Sequence, residues 1–240
     1  FGGVRRCDRY PWGALWFVAE DPEARFAGVL RQVYRGTSGM IGFLPSGRAT
    51  GDGPNTVSVF WSLRMSGLEA ARVRGLEAWK RDVRALTPLA EPVLDQIRSF
   101  DQLIAAGYHD VVMRRVGRGR VVLLGDCAHA MSPQLGQGAN LALLDAAALD
   151  AALASGPDIA SATAAYDRAR RASTRYYQFA SRWLTPVFQS GMDWTSPLRD
   201  RLLPIGLRLP IGRWMALTSL VGVRRGVWSS ESLPVLGTTR

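Results

Sequence analysis

Histidine, cysteine and lysine are scarce in this 240-residue sequence. The two histidines, His109 and His129, and the two cysteines, Cys7 and Cys127, show no ligand spacing, so no metal is expected. Two cysteines build no disulfide framework, which makes a reducing, cytoplasmic compartment the expectation. Lys80 is the single lysine among 30 basic residues, a bias that codon usage explains as readily as function. There is no internal repeat, no low-complexity segment and no long hydrophobic run. The most apolar C-terminal stretch, Trp214–Val223, is about half the ~20 residues that span a bilayer, and Arg213 and Arg224 bracket it. It reads as a buried or amphipathic helix; peripheral membrane contact stays open but is not favoured. Residues 1–15 carry no apolar segment behind a basic start, so no secretory leader is read there.

What is present is positive charge, unevenly spread. Residues 1–110 hold 14 basic and 12 acidic side chains, residues 111–155 hold 4 and 3, and residues 156–240 hold 12 and 5. A basic tail can meet nucleic acid, an anionic membrane or phosphates. No nucleic-acid-binding motif accompanies it, so no nucleic-acid partner is expected.

The first part reads as strands: Trp12–Ala19, Ala27–Arg35, Ser38–Pro45 and Thr56–Arg64 are short and rich in aromatic or β-branched residues. In the last of these Val57, Val59, Trp61 and Leu63 alternate onto one face, as in an antiparallel meander covered on one side. Leu68, Leu76, Trp79, Val83 and Leu86 recur at helical spacing, with Ser66 as N-cap and Pro88 as the stop. A shorter helix is read over about Leu89–Arg98 and a strand over His109–Arg115. Arg120–Gly125 is a near-continuous apolar strand, the pattern of a strand covered on both faces. Helices follow over about Gln137–Leu153 and from an Asp158 cap to about Trp183. Pro186, Pro197, Pro204 and Pro210 are expected to divide the rest into short helical pieces.

The stretch GRVVLLGDCAHAMSPQLGQGANLALLDAAAL (Gly119–Leu149) carries the chemistry. A buried strand delivers Asp126 at its C-terminal edge, where open α/β sheets place ligands. Gly136 and Gly138 let backbone approach a ligand without Cβ interference. The helix that follows offers unpaired N–H groups and a positive dipole end. A carboxylate acceptor beside amide donors suits a ligand with hydroxyls at one end and an electron-rich head at the other. Read as structure alone, the same unit is a common strand–loop–helix turn with Asp126 as a cap.

This stretch closely resembles the second FAD-binding motif of the class A FAD-dependent monooxygenases, the aromatic hydroxylases with the p-hydroxybenzoate hydroxylase fold. The family has Gly-Asp after a strand, then Ala-Ala-His, Pro, Gly-x-Gly and Asn opening a helix; Cys127 replaces an alanine, taken as small and buried. The resemblance implies an α/β (α+β) fold with three parts. These are a substrate-binding domain at 1–110, the FAD motif at 111–155 and a helical region at 156–240. It implies that Gly125, Asp126, Pro133, Gly136, Gln137, Gly138, Ala139 and Asn140 hold FAD. Asp126 would accept from a ribityl hydroxyl. The amides of Gly138, Ala139 and Asn140 would face the ring's N1–C2=O edge. Pro133 would line the reacting edge as the catalytic position. His129 is expected to bond locally, and Asp145 to pair with a neighbour.

The function so implied is hydroxylation of an aromatic or polycyclic small organic substrate with NAD(P)H and O2 through a flavin C4a-hydroperoxide. Substrate would meet the sheet, with Trp12, Phe43 and Trp61 as binding candidates and Trp16, Phe60 and Arg48 beside them. The family's strand–GxGxxG–helix unit is missing, since Gly117-Arg118-Gly119 precedes a strand. Asp52-Gly53 reads as a turn. With Phe1 in place of Met, the chain is expected to be a piece lacking the N-terminal dinucleotide-binding βαβ unit, binding FAD weakly and inactive by itself. Alternatives are a non-catalytic FAD-clamp remnant or interaction module, and another flavin enzyme such as a halogenase or reductase.

Overall fold

The computed structural model describes residues 3–230. In chain order the elements are β1 (Val4–Glu20), β2 (Arg31–Arg35), β3 (Gly39–Arg48), β4 (Asn55–Arg64), α1 (Leu68–Arg74), α2 (Leu76–Leu86), α3 (Glu91–Leu94) and β5 (Ile104–Met113). There follow β6 (Gly117–Arg118), β7 (Val121–Val122), α4 (Asp126–His129), α5 (Gly138–Ser155), α6 (Ile159–Phe188), α7 (Ser196–Arg208) and α8 (Pro210–Val221). Contacts divide the chain into two compact units. One comprises residues 1–9, 108–185 and 198–240; the other comprises 10–107 and 186–197.

The unit containing residues 10–107 is built on an antiparallel sheet of order β2-β3-β4-β1-β5. Leu15 and Ile41 flank Trp61 in register, and Phe17 and Phe43 flank Val59. The period of two therefore puts Leu15, Phe17, Ile41, Phe43, Val57 and Val59 on one face. That face packs on Trp79 and Val83 of α2 and Val93 and Leu94 of α3 as one core. Each such side chain stabilises the fold by roughly 1.5–3 kcal/mol. On the opposite face the Phe60 ring lies over Gly42 and stacks on Trp16, with centroids 5.7 Å apart and planes 20° apart. Residues 186–197 are tied to the same unit. Buried Gln189 donates to the Gly13 carbonyl and Ser62 Oγ at 2.9 Å each, and Asp193 accepts from the Thr37 amide at 2.7 Å.

Several expectations are corrected here. The strand read from Ala27 begins only at Arg31, because the Asp21 carboxylate accepts from the Arg25 and Phe26 amides (2.9 and 3.0 Å) and closes a local turn. The helix from Leu68 to Leu86 is two helices, broken at Gly75 with φ +81°, a conformation that glycine adopts without strain. Ser66 does not cap it; Gly67 holds that position. The helix read over Leu89–Arg98 shrinks to a 3-10 turn (Pro88–Ala90) and α3. Beyond it the Gln96 side chain bonds both backbone groups of Glu20.

The unit containing residues 108–185 holds the Gly-Asp stretch. Its apolar approach is a strand only over Val121–Val122, paired with β6 in a two-residue hairpin. Val121 and Leu124 are 53% and 37% exposed, so the expectation of a strand covered on both faces fails. A strand needs neighbours for its backbone groups, and among the described residues only β6 supplies them. α5 and α6 lie close to where the periodicity puts them. Asp158 caps α6 through the Ser161 amide (2.8 Å), and α6 runs on past Trp183 with Pro186 inside it. Pro204 also sits within a helix, whereas Pro210 opens α8. Trp214, Leu217 and Leu220 are exposed, so α8 is not a buried helix.

One carboxylate organises this unit. Asp145, on α5, has no exposed surface. It accepts from the Gly125 amide (3.0 Å), His129 Nε2 (2.6 Å) and Arg170 Nε (2.7 Å). Burial pushes its carboxyl pKa up. The bonds from His129, Arg170 and Gly125 more than offset that and leave it below its ordinary value. Buried Tyr166 adds a bond from its hydroxyl to the Leu123 carbonyl (3.2 Å), and burial raises its phenol pKa.

Asp145→Ala strands buried Arg170 without its counter-charge and is expected to cost about 3–5 kcal/mol in urea unfolding. Because the carboxyl is depressed in the folded state, its contribution is complete above the unfolded carboxyl's pKa. It falls away as pH drops through the lower folded value, so the variant's deficit should shrink in acid. On the sheet, Gly42→Val drives a side chain into the Phe60 ring and should cost about 1–3 kcal/mol by the same assay.

Candidate functional site

From Gly125 to Asn140 two glycines in positive-φ conformations, Gly125 and Gly136, shape the chain. Gly125 has φ +62° and ψ −144°, a backbone conformation open to glycine alone, and it turns the chain into α4. Asp126 is the first residue of that helix. Its carboxylate is exposed and bonds to no partner among the described residues. Pro133 is exposed and opens a 3-10 turn (Pro133–Leu135), which left-handed Gly136 closes. α5 then starts at Gly138. No side chain caps it, and the first intrahelical bond of this turn runs from the Leu141 amide to the Gln137 carbonyl. The amides of Gly138, Ala139 and Asn140 are thus left at the positive end of an 18-residue helix.

The two halves adjoin. A Cβ built on Gly138 would stand 3.9 Å from Asp126 Oδ1, so the missing side chain keeps the space beside the carboxylate free. An unpartnered acceptor and a row of uncapped amides at one place suit a ligand presenting hydroxyl donors next to an electron-rich, hydrogen-bond-accepting edge. A flavin's ribityl chain and ring meet that description, and the residues present fit it.

The structure brings Gly125, Asp126, Gly136, Gly138 and Ala139 together on this turn. The side chains of Gln137 and Asn140 turn elsewhere, while the Asn140 amide stays with the opening turn of α5. Buried Gln137 donates to the carbonyls of Leu220 (2.9 Å) and Leu135 (3.3 Å). Asn140 donates to the Val221 carbonyl (3.1 Å) and to Gln137 Oε1 (2.9 Å). Both side chains satisfy carbonyls at the C-terminus of α8, leaving only their backbone for a ligand. Cys127 is exposed, against the expectation that it is buried; it lies on the outer side of α4, whose Ala128 and His129 face inward. His129 and Asp145, expected to bond locally, do so with each other. Nothing in the sequence singles out Arg170, since the run RARRAS offers no local signal separating a buried arginine from its exposed neighbours.

The substrate candidates lie on the sheet of the other unit. Phe43 is fully buried and stacked on Phe26 at 4.6 Å, so it offers a ligand no surface. The pleat places it on the helix-covered face. Trp61 shares that face and packs partly buried on the same core. Trp12 is on the opposite face with Trp16 and Phe60; it is 8% exposed, with the Arg64 guanidinium 5.8 Å from its ring centre. Arg48 is exposed and donates to the Gly51 carbonyl (3.3 Å).

Kynurenine 3-monooxygenase of Salinispora arenicola is 40% identical over 109 residues, covering 42% of this chain and 23% of that protein. 6-Methylpretetramide 4-monooxygenase of Streptomyces rimosus is 36% identical over 104 residues, covering 43% and 25%. In structure the chain is similar to PqsL, a probable FAD-dependent monooxygenase from Pseudomonas aeruginosa. The TM-score is 0.63 at 19% identity, covering 80% of this chain and 53% of that one. The likeness to PqsL shows a shared fold. The chain spans about a quarter of the length of these two relatives and about half of PqsL. Residues 53–176, more than half of the chain, match the family described as FAD binding domain. The chain belongs to this FAD-binding domain family.

Proposed function

We propose that this chain holds the ring and ribityl part of FAD in a monooxygenase that hydroxylates an aromatic or polycyclic small molecule, with NAD(P)H as reductant and O2 as co-substrate. The observation that carries this reading is the unpartnered Asp126 carboxylate beside Gly138 and the uncapped start of α5. The names of the relatives support the reaction class. FAD, when bound, supplies two-electron redox chemistry and the activation of oxygen.

The chain's own residues bind and orient. Asp126 would accept from a ribityl hydroxyl, a charge-assisted bond stronger than a neutral one. The amides of Gly138, Ala139 and Asn140 would meet the electron-rich edge of the ring. The helix end favours negative charge there by about 0.3–1 kcal/mol, so reduction of the ring is eased electrostatically. Pro133, rigid in φ, would border the ring where substrate approaches. On the sheet, the face bearing Trp12, Trp16 and Phe60 is the aromatic surface suited to a flat apolar substrate. Phe43 and Trp61, on the core face, are not part of this proposal.

Carried in a polypeptide of the relatives' full length, the site is expected to give a yellow protein. Its flavin absorbance should bleach with NAD(P)H and return in air. Asp126→Ala should lower FAD affinity about tenfold or more, equivalent to about 1.4 kcal/mol, with the far-UV circular dichroism unchanged. Full flavin occupancy in that variant would remove the ribityl assignment. This chain by itself has no GxGxxG unit for the adenylate half. Fluorescence titration with FAD should therefore give a Kd weaker than about 1 µM.

A further inference from the structure

In the unit containing residues 108–185, a cavity of about 170 Å³ is bordered by five arginines, Arg5, Arg114, Arg170, Arg171 and Arg175. They come from the start of β1, the end of β5 and α6. Two acidic side chains share the wall, and both are engaged already. Asp145 is held by Gly125, His129 and Arg170, and Asp167 by the Val116 amide (3.0 Å) and Arg171. Arg5, Arg114 and Arg175 have no carboxylate partner among the described residues. An adjoining recess of about 270 Å³ shares Arg5 and Arg175.

Exposed arginines alone are a solvated surface. One buried atom argues for more. Arg170 is 4% exposed and borders this cavity, and its Nη2 has no partner. A buried donor left without an acceptor is costly, and such groups in a native protein mark a missing ligand or water. Three unpaired guanidiniums exceed what a single carboxylate needs. The guanidinium fork matches the tetrahedral oxygens of a phosphoryl group.

We propose that this cavity binds a phosphoryl group, with Arg170 at its floor and Arg5, Arg114 and Arg175 around its mouth. The adjoining recess has room for a second phosphoryl, so a diphosphate is the fitting unit. That chemistry is carried by free pyrophosphate and by the diphosphate bridge of a dinucleotide. The inference does not depend on the flavin reading, because none of these arginines lies on the Gly125–Asn140 turn.

The test is calorimetric titration of the chain with inorganic pyrophosphate, against sodium chloride at matched ionic strength. A saturable 1:1 isotherm is expected, at least tenfold weaker in Arg114→Ala/Arg175→Ala, two exposed positions whose loss should leave the melting temperature unchanged. Asp126→Ala should bind pyrophosphate as the parent does, which separates this site from the turn. Competition by NADPH or FAD would identify a dinucleotide as the source, and no competition would identify the free anion; both accord with the site. Heats no larger than those of chloride, or equal affinity in the double variant, would overturn it.

Discussion

Asp145 keeps a full negative charge where it has no exposed surface, and three donors from separate parts of the chain make that tolerable. The Gly125 amide precedes α4, His129 ends it, Arg170 comes from α6, and α5 carries the carboxylate itself. Buried ion pairs add little net stability over apolar packing of the same volume, while removing one partner is expensive. The worth of this cluster is therefore positional. The Gly125 amide is held by Asp145 immediately before α4, whose first residue, Asp126, is exposed.

The start of α5 divides its labour in the same way. A helix N-terminus leaves N–H groups without partners, and a helix C-terminus leaves carbonyls without partners. Here the side chains of Gln137 and Asn140 serve the carbonyls of Leu220 and Val221 at the end of α8. The positive end of one helix thus adjoins the negative end of another, an arrangement the dipoles favour. Since these side chains are spent on α8, none folds back to cap α5, and its amides stay open. Gly222, with φ +88°, completes the junction, because a Cβ there would collide with the Asn140 amide.

How much of this was readable from the sequence depended on range. Alternation over Thr56–Arg64 is local, and the strand and its core face came out as read. The start of α5 is likewise local, marked by Gly136 and Gly138 followed by an unbroken Ala/Leu run. Arg120–Gly125 failed because strand structure belongs to a pair, and four apolar residues state no partner. Phe43 looked like a lining residue because aromatic character is visible and register is not; pairing with Val59 sends it to the core. Gln137 sits inside the motif by position, yet its side chain answers a helix 83 residues away. His129 within the motif and Asp145, a lone acid in the first half of an apolar helix, were the signals for the buried cluster.

Charge shows the same limit from the other side. Along the sequence the excess of arginine after residue 156 looks like a basic tail. In three dimensions Arg170, Arg171 and Arg175 of α6 meet Arg5 and Arg114, more than fifty residues upstream, at one cavity. Arg170 links that cavity to the turn. Its Nε holds Asp145, and its Nη2 is buried and free of partners. A single guanidinium therefore holds the buried Asp145 carboxylate and borders the cluster of positive charge. Any anion drawn to that charge acts on the side chain that also bonds Asp145, which in turn accepts from the Gly125 amide at the start of the turn.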